Sequence, residues 1–278
     1  MSTLKKFIEL VVATKRAGGY ADLTSAVPLI RTLTLIVSLL LLTPNAASAT
    51  TKTDQRKGRP PNHSLSRTEV KEAEARLSKL GYGTGRTDGV IDGVTRNALI
   101  AFQKWEGRKV TGQLSRDDFD AIMSATAPPS KDSGYKHVEV DLDRQVLLVT
   151  DDNGIVKKVL PVSTGSNKEY NEKGMSGLAY TPRGRFRIYA KIAGWRKSPL
   201  GMLYYPNYFS DGLAIHGNSS VPDSPQSHGC IRVPNSAAIE LYKQMPVGTI
   251  VLIYDSRSFV SAKDWAEADK QKQATNVR

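Results

Sequence analysis

The chain has 278 residues, 40% hydrophobic and 24% charged, with a formal net charge of +12. That size suits an ordinary globular protein of two modest domains, or one domain with an accessory module. The positive sign favours polyanionic surroundings (nucleic acid, anionic lipid or an acidic wall polymer) or serves solubility alone; no basic run is interleaved with aromatics, which sets nucleic acid aside. At the N-terminus, Arg31 precedes an apolar run over 33–42 that breaks at Pro44, and Ala47-Ser48-Ala49 follows as a small-x-small cleavage pattern. The run is shorter than the roughly 20 residues of a comfortable membrane span, so residues 1–49 read as a secretory signal. The part before Arg31 is long for such a signal and carries Glu9 and Asp22. Either the true start lies downstream of Met1, or the segment stays attached as an anchor.

Residues 50–65 are polar, contain Pro60-Pro61 and read as a linker. From Ser66 the pattern turns helical. Ser66-Arg67-Thr68-Glu69 forms a capping box, Val70, Ala73, Leu77 and Leu80 follow at helical spacing, and Gly81 ends the run. Asp88-Gly89 and Asp92-Gly93 bracket a glycine-rich loop. A second helix sets Ala98, Ala101, Phe102 and Trp105 on one face, and a third carries Phe119, Ile122 and Met123. Three short helices over 66–125 make a bundle near the lower size limit for independent folding. The run Leu77-x-x-Leu80-Gly81-Tyr82, Asp88-Gly89-Val90-Ile91-Asp92-Gly93-x-Thr95, Ala98-x-x-Ala101-Phe102-Gln103 and Thr111-Gly112 resembles the three-helix peptidoglycan-binding module of many wall enzymes. The resemblance implies binding of glycan and stem peptide; a helical spacer that has lost binding has the same pattern, because fold alone does not establish function.

Residues 126–134, with Pro128-Pro129, form a second linker. Beyond it the period becomes two: Val138, Val140 and Leu142 share a face of a strand starting at His137. Residues 146–149 read as a fully buried strand. Asp152-Asn153-Gly154 predicts a type I′ hairpin turn, with the return strand over 155–162. Thr181-Pro182-Arg183-Gly184 is a further turn, and Phe186, Ile188 and Tyr189, then 213–215 and 250–254, complete the strands. Asn235 caps one helix, Ile239, Leu241 and Tyr242 give it apolar faces, and Pro246 with Gly248 stops it. The expected fold is therefore multidomain: a helical bundle, then a mostly-β catalytic domain over 135–258, then a charged tail over 259–278 that is a loose helix or disordered.

The segment that carries chemistry is Ile215-His216-Gly217, a loop, then Ser227-His228-Gly229-Cys230-Ile231-Arg232-Val233-Pro234-Asn235. Cys230 is the only cysteine, so in an exported chain it has no internal disulfide partner and is either inert or reactive. Two of the four histidines accompany it. A free thiol titrates near about 8.5, and an adjacent imidazole takes its proton or stabilises the thiolate as an ion pair. His216, at a strand end, is placed as a general base. His228 positions substrate, lines an oxyanion site, or merely bonds the loop. Gly229 leaves the approach to Cys230 bare and frees a backbone amide for an oxyanion, while the helix beginning at Asn235 turns its positive end to the same loop. Two histidines and one cysteine lack a fourth metal ligand, and His-x-Cys spacing is awkward for one tetrahedral ion. No metal and no cofactor is expected. His63 and His137 receive no role.

These residues resemble the signature of the L,D-transpeptidases: His-Gly, a variable loop, then Ser/Thr-His-Gly-Cys, an apolar residue, Arg, and Asn five positions after the cysteine. Val162-Ser163-Thr164-Gly165, Thr181-Pro182-x-Gly184-x-Phe186 and Tyr205-Pro206-x-Tyr208-Phe209 extend the resemblance across 135–255. The loop from His216 to Ser227 is shorter than in many members, which bears on the acceptor side of the cleft. The resemblance implies Cys230 as nucleophile, His216 as proton carrier oriented by the Gly217 carbonyl, and His228 and Gly229 at the oxyanion. On the substrate side it implies Arg232 sensing a stem-peptide carboxylate (or bracing the loop through a salt bridge), with Ser227, Asn235, Tyr204 and Tyr208 beside it. The implied partner is peptidoglycan, as stem-peptide donor and amine acceptor. Membrane contact is expected only through an uncleaved N-terminal segment, and the expected location is the periplasm or wall. A hydrolase using the same site, or a wall-binding protein with a vestigial thiol, would share these residues.

Overall fold

The computed structural model describes residues 64–258. The expected secretory signal over 1–49, nearly all of the expected first linker and the C-terminal tail lie outside the described residues.

Three helices open the described chain: α1 (Arg67–Lys79), α2 (Gly93–Trp105) and α3 (Arg116–Ser124). Each starts on a side chain that satisfies its unpaired amides. Ser66 and Glu69 form the expected capping box on α1, and Ser115 and Asp118 form another on α3. Asp92 caps α2 by accepting from the amides of Val94 and Thr95. The residues that made the module legible hold its loops. Buried Glu74 accepts from the Gly89 amide at 2.8 Å and the Thr95 hydroxyl at 2.9 Å. Gln103 accepts from the amides of Thr111 and Gly112, both at 2.9 Å.

Strands follow in two sheets. The first runs β3 (Val156–Pro161), β2 (Val146–Thr150), β1 (His137–Asp141), β12 (Ile250–Tyr254), β6 (Gly184–Arg187). The second runs β11 (Ile231–Pro234), β10 (Leu213–Asn218), β9 (Gly201–Ser210), β7 (Ala190–Lys191), with β8 (Trp195–Ser198) also on β9. A separate hairpin joins β4 (Glu169–Glu172) and β5 (Met175–Leu178). Between the two sheets lies a core of Val138, Val140, Leu147, Val149, Ile215, Ile231, Val251 and Ile253, closed by Ala237, Ala238 and Leu241 of α4 (Asn235–Gln244).

The helices do not form a separate core. Leu77, Leu99, Phe102 and Ile122 pack in one cluster with Val146, Leu148, Val156 and Val159 from β2 and β3. Successive residues of a strand point to opposite faces, so Leu147 and Val149 serve the inter-sheet core while Val146 and Leu148 serve the helices. That is why β2 reads as continuously apolar. A hydrogen bond from the Val159 amide to the Gly81 carbonyl, 2.9 Å, joins the two halves along the backbone.

β1 carries its apolar residues on one face, as its alternation implies, and its other face is covered too: all five residues are buried. Its polar face is covered by the 126–134 segment: Glu139 accepts from the amides of Lys131 and Asp132 and from the Tyr254 hydroxyl, and contacts His137 Nε2 at 2.9 Å. The β2–β3 turn is not type I′. Asn153 is absent from the positive-φ residues, and Gly154 alone in the turn has positive φ, at 79°; its amide donates to the Asp151 carbonyl at 2.9 Å. This is a turn closed by a glycine bulge, with the Asp151 carboxylate accepting from the amides of Asn153 and Ile155.

Because both faces of β2 are buried, Leu148→Ala destabilises the chain as severely as Leu147→Ala, each by about 2–5 kcal/mol. Urea unfolding checks this: a sheet face merely shielded by a loosely docked module would make Leu148→Ala far milder.

Candidate functional site

The cleft is built where β10 and β11 run parallel. Their register pairs Ile215 with Ile231 and His216 with Arg232. Alternation then sets His216 and Arg232 on the same side of the sheet, with Cys230 immediately before β11. His216, Ser227, His228, Cys230 and Arg232 all line one cleft of about 350 Å³, together with Tyr170 and Met175 of the β4–β5 hairpin and the 198–203 turn joining β8 to β9.

His216 is buried, and its Nδ1 lies 2.9 Å from the Gly217 carbonyl oxygen. A carbonyl only accepts, so Nδ1 carries the proton and Nε2 is left as the basic nitrogen. Gly217 has no room for a side chain: a Cβ would sit 2.7 Å from both Ala238 Cβ and Asn235 Oδ1. Burial pushes the imidazole pKa down to about 4, and the Arg232 charge pushes the same way. Burial pushes the Cys230 thiol up, against the opposing effects of the Ala214 backbone and Arg232. The resting pair is therefore a neutral thiol and a neutral imidazole. Arg232 is half-buried beside Cys230, and among the described residues it makes no salt bridge that would brace the loop.

The cysteine loop is held by hydroxyls and backbone. Ser227 Oγ donates to the Cys230 carbonyl at 2.5 Å and accepts from the Gly229 amide at 3.0 Å. In this arrangement the Gly229 amide is engaged by Ser227. Thr181 Oγ1 donates to the Gly229 carbonyl and accepts from the Gly165 amide, both at 2.8 Å. Gly229 has φ +134°, and a Cβ there would meet the Tyr180 carbonyl at 2.7 Å. Glycine is required here for conformation and for space. His228 turns towards the hairpin, with Nε2 3.5 Å from Glu172 and its ring edge-on to Tyr170 at 4.7 Å.

Two expected residues lie elsewhere. Asn235 does not cap α4, whose cap position is Pro234 with no side-chain bond; its Oδ1 is buried behind Gly217. Tyr204 packs against Trp195 and Tyr205, 4.6 and 4.8 Å between ring centres, on the far side of Gly217. Tyr208, beside Ala214 in the β9–β10 ladder and near Tyr189, lies close enough to Cys230 for the two to interact electrostatically. The aromatic that does line the cleft, Tyr170, was not anticipated. Its hairpin has exposed strands with no apolar alternation; the only signal was the Lys173-Gly174 turn, where both residues have positive φ.

With this geometry in hand, the comparisons are informative. Residues 135–253 match the YkuD family model, the L,D-transpeptidase catalytic domain. Residues 66–122 match the model of a peptidoglycan binding domain. Among solved structures, the chain is similar to an L,D-transpeptidase from Xylanimonas cellulosilytica, with 39% identity, 67% of this chain and 93% of that chain covered, and a TM-score of 0.64. It is also similar to an L,D-transpeptidase from Stackebrandtia nassauensis, with 26% identity, 70% and 95% covered, and a TM-score of 0.40. No curated protein matches the chain.

The imidazole shift carries a stability consequence. His216 titrates near about 4 when folded and near 6.5 when unfolded. Between those values the unfolded chain holds a proton that the folded chain refuses, so stability falls as pH drops through that window. His216→Gln removes this contribution: the loss of urea resistance from pH 7 to pH 5 becomes smaller than in wild type. An equal loss in both proteins would contradict it.

Proposed function

The chain belongs to the L,D-transpeptidase family, and on that premise we propose that it is a wall acyltransferase using Cys230 as nucleophile and His216 as proton carrier. The observation that carries this reading is the His216 Nδ1 bond to the Gly217 carbonyl, in a cleft that the same imidazole shares with the only thiol. The bond sets the tautomer and aims the basic nitrogen away from the backbone.

In the first step Cys230 Sγ bonds to the donor carbonyl carbon of a stem tetrapeptide while its proton passes to His216 Nε2. The tetrahedral intermediate collapses by breaking the bond to the terminal D-residue, whose amine takes the proton back from Nε2. A thioester remains. An amine from a neighbouring stem attacks it, its proton passes through Nε2, and the C–S bond breaks to restore the thiol. The donor and acceptor identities follow from the family. Arg232, a half-buried guanidinium without a carboxylate partner among the described residues, suits recognition of a substrate carboxylate. The helical module supports retention on peptidoglycan, which raises the local concentration of substrate. Export to the periplasm or wall accords with that substrate and with the Ala47-Ser48-Ala49 pattern.

The test is intact-protein mass spectrometry after incubation with imipenem, an acylating carbapenem. Wild type gains a covalent adduct, Cys230→Ala gains none, and His216→Gln acylates about 10²–10⁴-fold more slowly. A folded wild-type sample without adduct would sink the assignment. Stem tetrapeptide incubated with a diamino-acid amine then yields cross-linked product; shortened peptide alone would make the enzyme a hydrolase.

A further inference from the structure

Among the described residues, the cysteine-bearing loop has one side-chain anchor outside the catalytic domain, Lys104. Residues 219–226 connect β10 to Ser227 and are otherwise held from the strand end after β3. Ser163 Oγ donates to the Ser224 carbonyl at 2.8 Å and accepts from the Gln226 amide at 3.1 Å. The Ser227 amide donates to the Thr164 carbonyl at 2.9 Å. The remaining anchor is Lys104, from the last turn of α2 in the helical module. Its Nζ donates to the Val162 carbonyl at 2.8 Å and to the Pro222 carbonyl at 3.3 Å. One ammonium thus ties the strand end that holds the loop to the loop itself.

We propose that Lys104 is a positioning residue for catalysis, through which the seating of the helical module on β2 and β3 sets the position of the Ser227–Cys230 segment. The proposal rests on Cys230 acting as the nucleophile. Lys104 is 6% exposed, and the acceptors of its two hydrogen bonds are neutral carbonyls. Burying an ammonium against such partners costs more than burying a methionine of the same length. Burial accordingly drives the Lys104 pKa down to about 8, opposed by the charge of Asp223. Shape alone would be filled better by an apolar chain, so what the amine adds is direction: two hydrogen bonds to two carbonyls belonging to the cysteine loop and its holder. α2 is rigidly seated, since Ala98, Leu99, Ala101 and Phe102 are in the core shared with the sheet.

Lys104→Met keeps the aliphatic stem and removes the donors. In the full chain, stopped-flow acylation by imipenem is expected to slow about tenfold, with the loss in the acylation step rather than in initial carbapenem affinity. The melting temperature is unchanged or raised, and Lys104→Arg, which restores donors, recovers part of the rate. A wild-type acylation rate in folded Lys104→Met overturns the proposal, as does a rate loss that simply tracks a drop in melting temperature. If Lys104→Met does not fold, Lys104→Gln decides. Slowed acylation of a folded Gln variant supports the role, a wild-type rate overturns it, and failure of both to fold assigns Lys104 to the fold itself and also overturns it. Absence of acylation in wild type would instead strike the nucleophile assignment beneath the proposal.

Discussion

The structure depends on β2 being buried on both faces. Its odd and even residues enter different cores, the inter-sheet core through Leu147 and Val149 and the helix–sheet core through Val146 and Leu148. Three short helices bury too little surface to be secure alone, and the first sheet would otherwise present an apolar outer face to water. Each half supplies what the other lacks. Each buried Val or Leu on the outer face contributes about 1.5–3 kcal/mol, so the module and the catalytic sheet are energetically one body along this seam. The placement of β3 follows from it, and the end of β3 is where the cysteine loop is held.

Parallel pairing of β10 with β11 imposes the second constraint. Parallel neighbours need a crossover, usually helical, and here the crossover is irregular chain. Its amides and carbonyls find no regular ladder, yet buried ones must be satisfied. The sequence meets this with small hydroxyl residues: Ser163, Thr164, Thr181 and Ser227 are all buried, and Ser163, Thr181 and Ser227 bond the backbone through their hydroxyls. The same chain therefore carries the reactive residues and the groups that pin them, which is why Ser227 and the Gly229 amide serve the loop.

Much of this was legible. The first helix announced itself by its capping box and all three by apolar spacing, and the buried strand 146–149 by its unbroken apolar run. Cys230, His216 and His228 stood out because a lone thiol near two histidines is a rare combination, and the cleft gathers all three. The rest was hidden for physical reasons. The β4–β5 hairpin has no buried face and so no period. The β1 pattern reads the same whether its polar face meets water or a hydrogen-bonding segment such as 131–132. Asn235 seemed a helix cap because Asn is a favoured cap, but Pro234, with its φ of −57°, takes that position and moves Asn235 inside the helix. Of the two aromatics near the signature, Tyr204 is taken up by packing, as most aromatics are, while Tyr208 stays within electrostatic reach of Cys230. Lys104 gave no signal, since a lysine in the last turn of a helix ordinarily reads as a solvated charge near the carbonyl end.

If Cys230 is the nucleophile proposed above, the electrostatics of the cleft set when its thiol reacts. Burial moves Cys230 and His216 in opposite directions, each towards its neutral form. Arg232 favours a thiolate and disfavours an imidazolium, so it does not help a standing ion pair between them. The proton is then most readily shared while the bond to a donor carbonyl is forming, when negative charge leaves sulfur for the carbonyl oxygen. A histidine that gains a proton beside Arg232 is a strong acid and gives it up quickly to the departing amine. A thiol that stays protonated between turnovers is also a poor target for oxidants, because oxidation follows thiolate character and exposure. On the proposed mechanism, which uses the chain's single cysteine, catalysis depends on that one sulfur remaining reduced, and the burial that slows its ionisation protects it.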